Sequence, residues 1–304
     1  MGAASASGLV VTRAVVGYPD GRSETSLDPD LRVFVSDLVR PYGLPLREDL
    51  LAEGVGHSYE EMAEGLLREA LADGRPVDLL ILAFDSPDIR PGAPSSLALS
   101  RSCPGEPLAF ALCDQGPAAA FSALRVAAEY HRTGACRRAV VVLAEQTALH
   151  YRAAEPVDLP ERHCAVVLVC DEVAGGELTI NQIPLVDDEL AAKTVGEAVR
   201  ALGEGAAVLL GPGLAVDVGT DTDTDADADA DTDADADADA DVDACAAAGV
   251  DGAVRATGGQ PFTGIWSALA ERLPVWRAEG RPVLAAGFDR RLGVLSTLAL
   301  RAGP

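Results

Sequence analysis

Side chains able to do chemistry are sparse in this chain, and the densest run of them is Cys113-Asp114-Gln115, a thiol, a carboxylate and a carboxamide in succession. They stand where the apolar run Leu108 to Cys113 gives way to Gly116-Pro117 and a helix, which makes them a strand-to-helix turn. Asp114 could act there as an acid or base. The positive end of a helix favours its charged form, however, and suits Asp114 and Gln115 better as caps of the free N–H groups. Of the four histidines, His57 precedes a helix, His131 lies on a helix tail, and His150 and His163 flank a loop. No G-x-S-x-G elbow accompanies them, which argues against a hydrolase triad. No G-x-x-x-x-G-K-[ST] loop and no G-x-G-x-x-G after the first strand is present, so nucleotide binding is not expected.

The six cysteines, Cys103, Cys113, Cys136, Cys164, Cys170 and Cys245, are scattered and form no C-x-x-C pair. They read as small buried apolar residues of a reducing compartment, with neither a metal site nor a cofactor expected. Every odd position from Asp221 to Asp243 is Asp, alternating with Ala, Thr or Val. Stacked carboxylates suggest calcium, but the run lacks glycine turns and a suitably placed bidentate Glu. Like charges at this density repel, so residues 219–244 read as a disordered, extended insert.

These side chains must be positioned by a sizeable core. The 304 residues are 48% hydrophobic but only 4% aromatic, a mixture that suits closely packed α/β layers. The net charge of −24, half of it in the aspartate run, argues against nucleic acid and anionic membrane surfaces. No run reaches the ~18 apolar residues of a membrane span. The first eight residues lack the basic and apolar regions of a secretory signal, so a cytoplasmic protein is expected.

Residues 9–16 read as a first strand, followed by about forty irregular residues. Ser58 and Glu61 then form an S-x-x-E capping box ahead of apolar residues on one helix face, with Gly74 as the stop. Residues 77–84, 108–113, 138–145 and 164–170 are nearly all apolar, as strands covered on both faces are. A helix from Ala118 to Arg132 opens after Pro117 and closes at Gly134. In the second half, helices near 189–202 and 264–277 and strands at 206–210, 282–288 and 293–300 are predicted.

In order and spacing, these pieces resemble ketoacyl synthase III and its thiolase-fold relatives. VDLLILAF, the Ser86-Pro87-Asp88 loop, AFALC with its turn, the long helix ending in YHRTG, RAVVVLAE and ERHCAVVLV follow one another as in the N-terminal half of that family. TGGQPFTGIWSAL and RPVLAAGFDRRLGVLSTLAL resemble its closing glycine-rich turn, helix and hairpin. The resemblance implies a thiolase-like α/β fold of two similar halves, 8–175 and 176–304, layered α-β-α-β-α, with the second half shortened and carrying the Asp-rich insert. It also implies dimerisation through an N-half strand near the active site.

The family's condensing members use Cys, His and Asn (or a second His), the Cys at the strand-to-helix turn where the helix N-terminus favours its thiolate. Counting back along the helix from Gly134 puts Pro117 in the nucleophile's position. Cys113 lies four residues earlier on the strand, and Asp114 and Gln115 are the other candidates at the turn. Gly211 and Pro212 stand where the His is sought, and no His follows His163. In the last glycine-rich turn, Thr257 and Gln260 are the candidate substrate-binding residues. A Gln at the elbow resembles the chain-length factors, the non-condensing partners of type II polyketide ketosynthases. The reading is therefore a non-condensing partner subunit in polyketide or fatty-acyl assembly, a homodimer or paired with an active ketosynthase, working with acyl carrier protein or an acyl thioester. The rival reading is a divergent thiolase-fold enzyme (acyltransferase, cyclase or dehydratase) that uses Cys113 or Asp114.

Overall fold

A computed structural model describes residues 7–90, 94–184, 186–212, 214, 253–256 and 258–301. The aspartate run and Thr257 lie outside the described residues. Among the described residues ten strands form two five-stranded sheets. The first comprises β1 (Ser7–Gly17), β2 (Leu79–Ala83), β3 (Leu108–Leu112), β4 (Arg138–Glu145) and β5 (Cys164–Ala174), in the order β1-β5-β4-β2-β3. The second comprises β6 (Glu177–Ile183), β7 (Ala207–Leu210), β8 (Val254–Arg255), β9 (Val283–Asp289) and β10 (Val294–Arg301), in the order β6-β10-β9-β7-β8. Both sheets follow one plan: the first strand pairs antiparallel with the fifth, and the second, third and fourth run parallel.

Residue alternation explains why each sheet is covered on both faces. Along β2, Leu79, Ile81 and Ala83 point into a central core while Leu80 and Leu82 point outward into a second. On β4, Val141 and Leu143 oppose Val140 and Val142 in the same way. In the second sheet, Val283 and Ala285 face the centre, and Leu284 and Ala286 face a third core.

Seven α-helices among the described residues fill the layers. Helices α3 (Tyr59–Ala70) and α4 (Ser95–Ser100) cover the outer face of the first sheet, and α6 (Asp188–Leu202) covers the outer face of the second. Between the sheets lie α5 (Ala118–Arg132) and α7 (Gly264–Ala278), joined by Phe121 against Trp266 edge to face at 4.9 Å. This is the five-layer α-β-α-β-α arrangement. The capping box at Ser58 is complete, with Glu61 returning a 2.8 Å hydrogen bond from the Ser58 N–H. Among the described residues no helix is long and apolar enough to cross a membrane.

Three expectations are corrected. The stretch after β1, read as irregular, contains α1 (Pro29–Val39) and α2 (Glu48–Glu53). Asp28 caps α1, Pro29 opens it, and Leu31, Val35 and Val39 bury one stripe against Leu51. Secondly, β3, read as buried, is an edge strand with an exposed and half-exposed face, and Leu108 is 52% exposed. Among the described strands β2 is its one neighbour, and Ala109, Phe110 and Leu112 pack only partly against the two cores. Thirdly, β6 and β8 were not anticipated from the sequence: β6 alternates half-exposed polar and apolar residues, and β8 is two residues long.

Candidate functional site

The elbow after β3 is built from unusual backbone. Asp114 has φ +62°, the one non-glycine residue in the left-handed region among those described, and Gly116 follows at φ +54°. Two such residues turn the chain sharply from strand to helix, a conformation that Gly adopts freely and Asp tolerates better than most. Pro117 then presets the first helical φ at −57°. The first free N–H groups of α5 are met by backbone: Ala118 and Ala119 donate to the carbonyls of Gln115 and Gly116 at 3.2 and 3.1 Å. No side chain caps the helix, so the capping role read for Asp114 and Gln115 is not what their side chains do.

The three candidates at the turn diverge. The Cys113 thiol donates to Asp114 Oδ2 at 3.3 Å, and its pKa is raised by burial and then by that carboxylate, which disfavours a thiolate. Gln115 turns along the helix, where its Oε1 accepts from the Ser122 hydroxyl at 2.6 Å. Gln182 of β6 joins them by donating to Ser122 Oγ and to the Ala118 carbonyl, both at 3.1 Å. Gln115 thus belongs to a polar seam between α5 and β6, while Asp114 faces a cavity.

That cavity, about 710 Å³, opens between the two halves. Asp114 and Pro117 form one wall, and Gly211 and Pro212 after β7 form another. Pro261 and Ile265 at the start of α7 close a third side. It therefore lies where parallel strands end and the two central helices begin, the usual place for a site in such sheets. Pro117 and Gly211-Pro212, the positions where the resemblance seeks Cys and His, do converge on one space. A Cβ at position 211 would begin 2.8 Å from Ile265 Cδ1, so a side chain there would require Ile265 to shift.

Gln260 sits behind this wall rather than in it. It is buried, donates to Glu145 Oε1 and to the Arg162 carbonyl at 3.2 Å each, and accepts from the Arg162 N–H at 3.3 Å. Glu145, the last residue of β4, accepts from the Phe262 and Thr263 N–H groups at 3.0 and 2.9 Å and from the Thr263 hydroxyl. Burial raises the pKa of Glu145, and these hydrogen bonds oppose that rise. The histidines also lie elsewhere: His57 and His163 meet edge to face at 5.0 Å, and His150 Nε2 pairs with the Val55 carbonyl at 2.8 Å.

Sequence reasoning missed the residues that give the cavity its charge, namely Asp85, Asp158 and Asp289, with Arg290 and Arg291. The Asp85 carboxyl is half-buried, which raises its pKa. Arg291 opposes the rise, and the charges of Asp289, Asp158 and Asp114 add to it. A signal existed, because Phe84-Asp85 and Phe288-Asp289 each put an acid at the C-terminal end of a parallel strand. Among the described residues, no three His, Cys, Asp or Glu side chains are grouped to hold a metal.

No family model and no curated protein matches the sequence. The fold is similar to that of a tetronic acid condensing enzyme, with a TM-score of 0.60 at 17% identity over 97% of this chain and 100% of the other. It is also similar to 3-oxoacyl-[acyl-carrier-protein] synthase III from Aquifex aeolicus, with a TM-score of 0.58 at 14% identity over 97% and 100% of the two chains. A 3-oxoacyl-(acyl-carrier protein) synthase from Burkholderia xenovorans gives 0.60 at 14% over 99% and 97%. Likeness at these identities establishes the thiolase-like fold, which the strand order and layers describe independently.

Proposed function

We propose that this chain is a non-condensing, ketosynthase-like partner subunit of polyketide or fatty-acyl assembly, binding an acyl thioester or acyl carrier protein beside an active ketosynthase in the cytoplasm. The observation that carries this reading is the elbow itself. Pro117 occupies the helix N-terminus facing the cavity and offers no nucleophile, and Gly211 brings no side chain to the wall where the resemblance seeks His. The open edge of β3, which among the described strands pairs with β2 alone and on which Leu108 and Ala111 are exposed, supports pairing with a second thiolase-like subunit, either another copy or the ketosynthase. On this reading 8–175 and 176–304 are the two halves of one subunit, and Gln115, Gln260 and Thr257 serve its structure or its tunnel.

One observation favours the rival enzyme. Asp114 lines the cavity in a strained conformation, as residues in active sites often are, and would act there as acid or base on an acyl thioester. Cys113 has less support, because its thiol is paired to Asp114 and does not line the cavity.

The test is to purify the tagged chain from extract of its own cells and weigh every component intact. A stoichiometric ketosynthase supports the partner role. A lone homodimer carrying an acyl mass on Cys113 overturns it, and turnover of an acyl thioester that Asp114→Asn abolishes would establish the rival.

A further inference from the structure

Between β4 and β5 the chain passes along the elbow cavity as a strap fastened at its two ends. At one end Tyr151 bridges to Leu46, and the Arg152 N–H donates to the Pro45 carbonyl at 2.8 Å. At the other end the Glu161 N–H donates to the Gly259 carbonyl at 2.7 Å, and the Arg162 guanidinium stacks over the Tyr18 ring at 3.9 Å. Among the described residues, no backbone hydrogen bond ties 153–160 to the rest of the molecule. Residues 153–158 are exposed, so water serves their N–H and C=O groups. A segment held in this way moves at little cost, because no internal hydrogen bond has to break. Pro156 and Pro160 each fix a backbone dihedral, so the strap moves as a stiff piece about its fastened ends.

The strap also divides two spaces. Pro156, Val157 and Asp158 line the elbow cavity. On the other side lies a pocket of about 240 Å³, floored by Leu50, Leu149 and Tyr151 and bordered by Val157 and Leu159. Val157 thus lines both, and it is 45% exposed. An exposed valine beside an apolar floor gains free energy by settling onto it, and the strap carries no internal hydrogen bond to oppose the move.

We infer that residues 153–160 are a gate on the elbow cavity with two positions. In the one described, the strap stands between the two spaces and Pro156, Val157 and Asp158 wall the cavity. In the other it folds onto Leu50, Leu149 and Tyr151, which buries Val157 and opens the cavity on that side. The fastened ends at Arg152 and Glu161 are the hinges, and the seat for Val157 makes the motion a switch between two states. The inference goes beyond the partner role and does not depend on it, because such a gate serves a binding tunnel and an active site alike.

The test places a thiol on the cavity wall of the full chain by Ile265→Cys and follows its labelling by a bulky maleimide, read by peptide mass analysis. The labelling rate follows the fraction of time the gate is open. Adding Val157→Leu brings one more methylene to the seat and should speed labelling by about threefold. Adding Val157→Asp sets a charge against the apolar floor and should slow it by about tenfold. Cys113 does not line the cavity and is the internal control, with the same rate expected in all three proteins. Equal labelling of the wall thiol in the three, the reverse order, or a parallel change at Cys113 would each overturn the inference. If Ile265→Cys does not fold, Pro261→Cys on the same wall gives the readout in its place. None of these outcomes bears on whether a ketosynthase co-purifies, so the two readings stand or fall separately.

Discussion

The Glu145 carboxylate, at the end of β4, receives the backbone N–H of Thr263, at the start of α7, at 2.9 Å. A strand of the first half thereby anchors the turn that leads into the central helix of the second, and Phe262 and Gln260 add donors to the same carboxylate. Glu145→Ala should leave these buried donors unpaired and cost about 2–4 kcal/mol. The readout is the urea midpoint. An unchanged midpoint would mean that water replaces the carboxylate without loss.

A methyl group at Gly116 would collide with Asp289 Oδ2, in a backbone region that side chains rarely adopt. Gly116→Ala should therefore cost about 1–3 kcal/mol. Thermal unfolding checks this. Gly134→Ala provides a control, since it shares the left-handed φ but meets nothing within 4 Å, and it should cost less.

Cys113 should alkylate slowly. Its pKa is raised by burial and by the Asp114 carboxylate, so less thiolate is present near neutral pH than for a free cysteine. Asp114→Asn removes the charge and should speed iodoacetamide labelling of Cys113 at pH 8, followed by peptide mass analysis. A rate that stays the same or falls would mean that access, and not charge, limits the thiol.

Some of this was legible in residue patterns and some was not, for physical reasons. The Ser58–Glu61 capping box and the Pro117-to-Gly134 helix are local devices, written in neighbouring residues. Helix α1 escaped notice because Val33, Phe34 and Leu38 are apolar yet exposed, which blurs the Leu31-Val35-Val39 stripe. For β3, an apolar run does not tell a face covered by the same chain from one left open. The site was half legible. Pro117 and Gly211 could be located by spacing, but Asp289 reaches Gly116 from over 170 residues away, a meeting that only the packing of the halves creates.

His163 should give a pH signature. Burial, followed by the nearby His57, lowers its pKa to about 4, and Nδ1 accepts from the Thr147 N–H at 3.3 Å, which requires an unprotonated nitrogen. The unfolded chain takes this proton near the ordinary value of 6.5 and the folded chain only near 4. The stability contributed is therefore complete above pH 6.5 and is lost as the pH falls toward 4. His163→Gln should flatten the fall in urea midpoint between pH 7 and pH 5. A parallel decline in both proteins would assign that loss to other groups.

In each sheet the first strand is zipped onto the last: Ser7 lies opposite Ala174, and Glu177 opposite Arg301. On the ribosome, β1 with its buried Leu9, Val10 and Val11 must therefore wait for β5. At ordinary synthesis rates that wait is on the order of 10–30 s. The second sheet cannot close until β10 has been made, long after its partner β6. The first sheet is thus born with an unpaired apolar strand and the second with an unpaired strand of mixed character, which makes nascent-chain protection, more than final stability, the step at which this architecture is vulnerable.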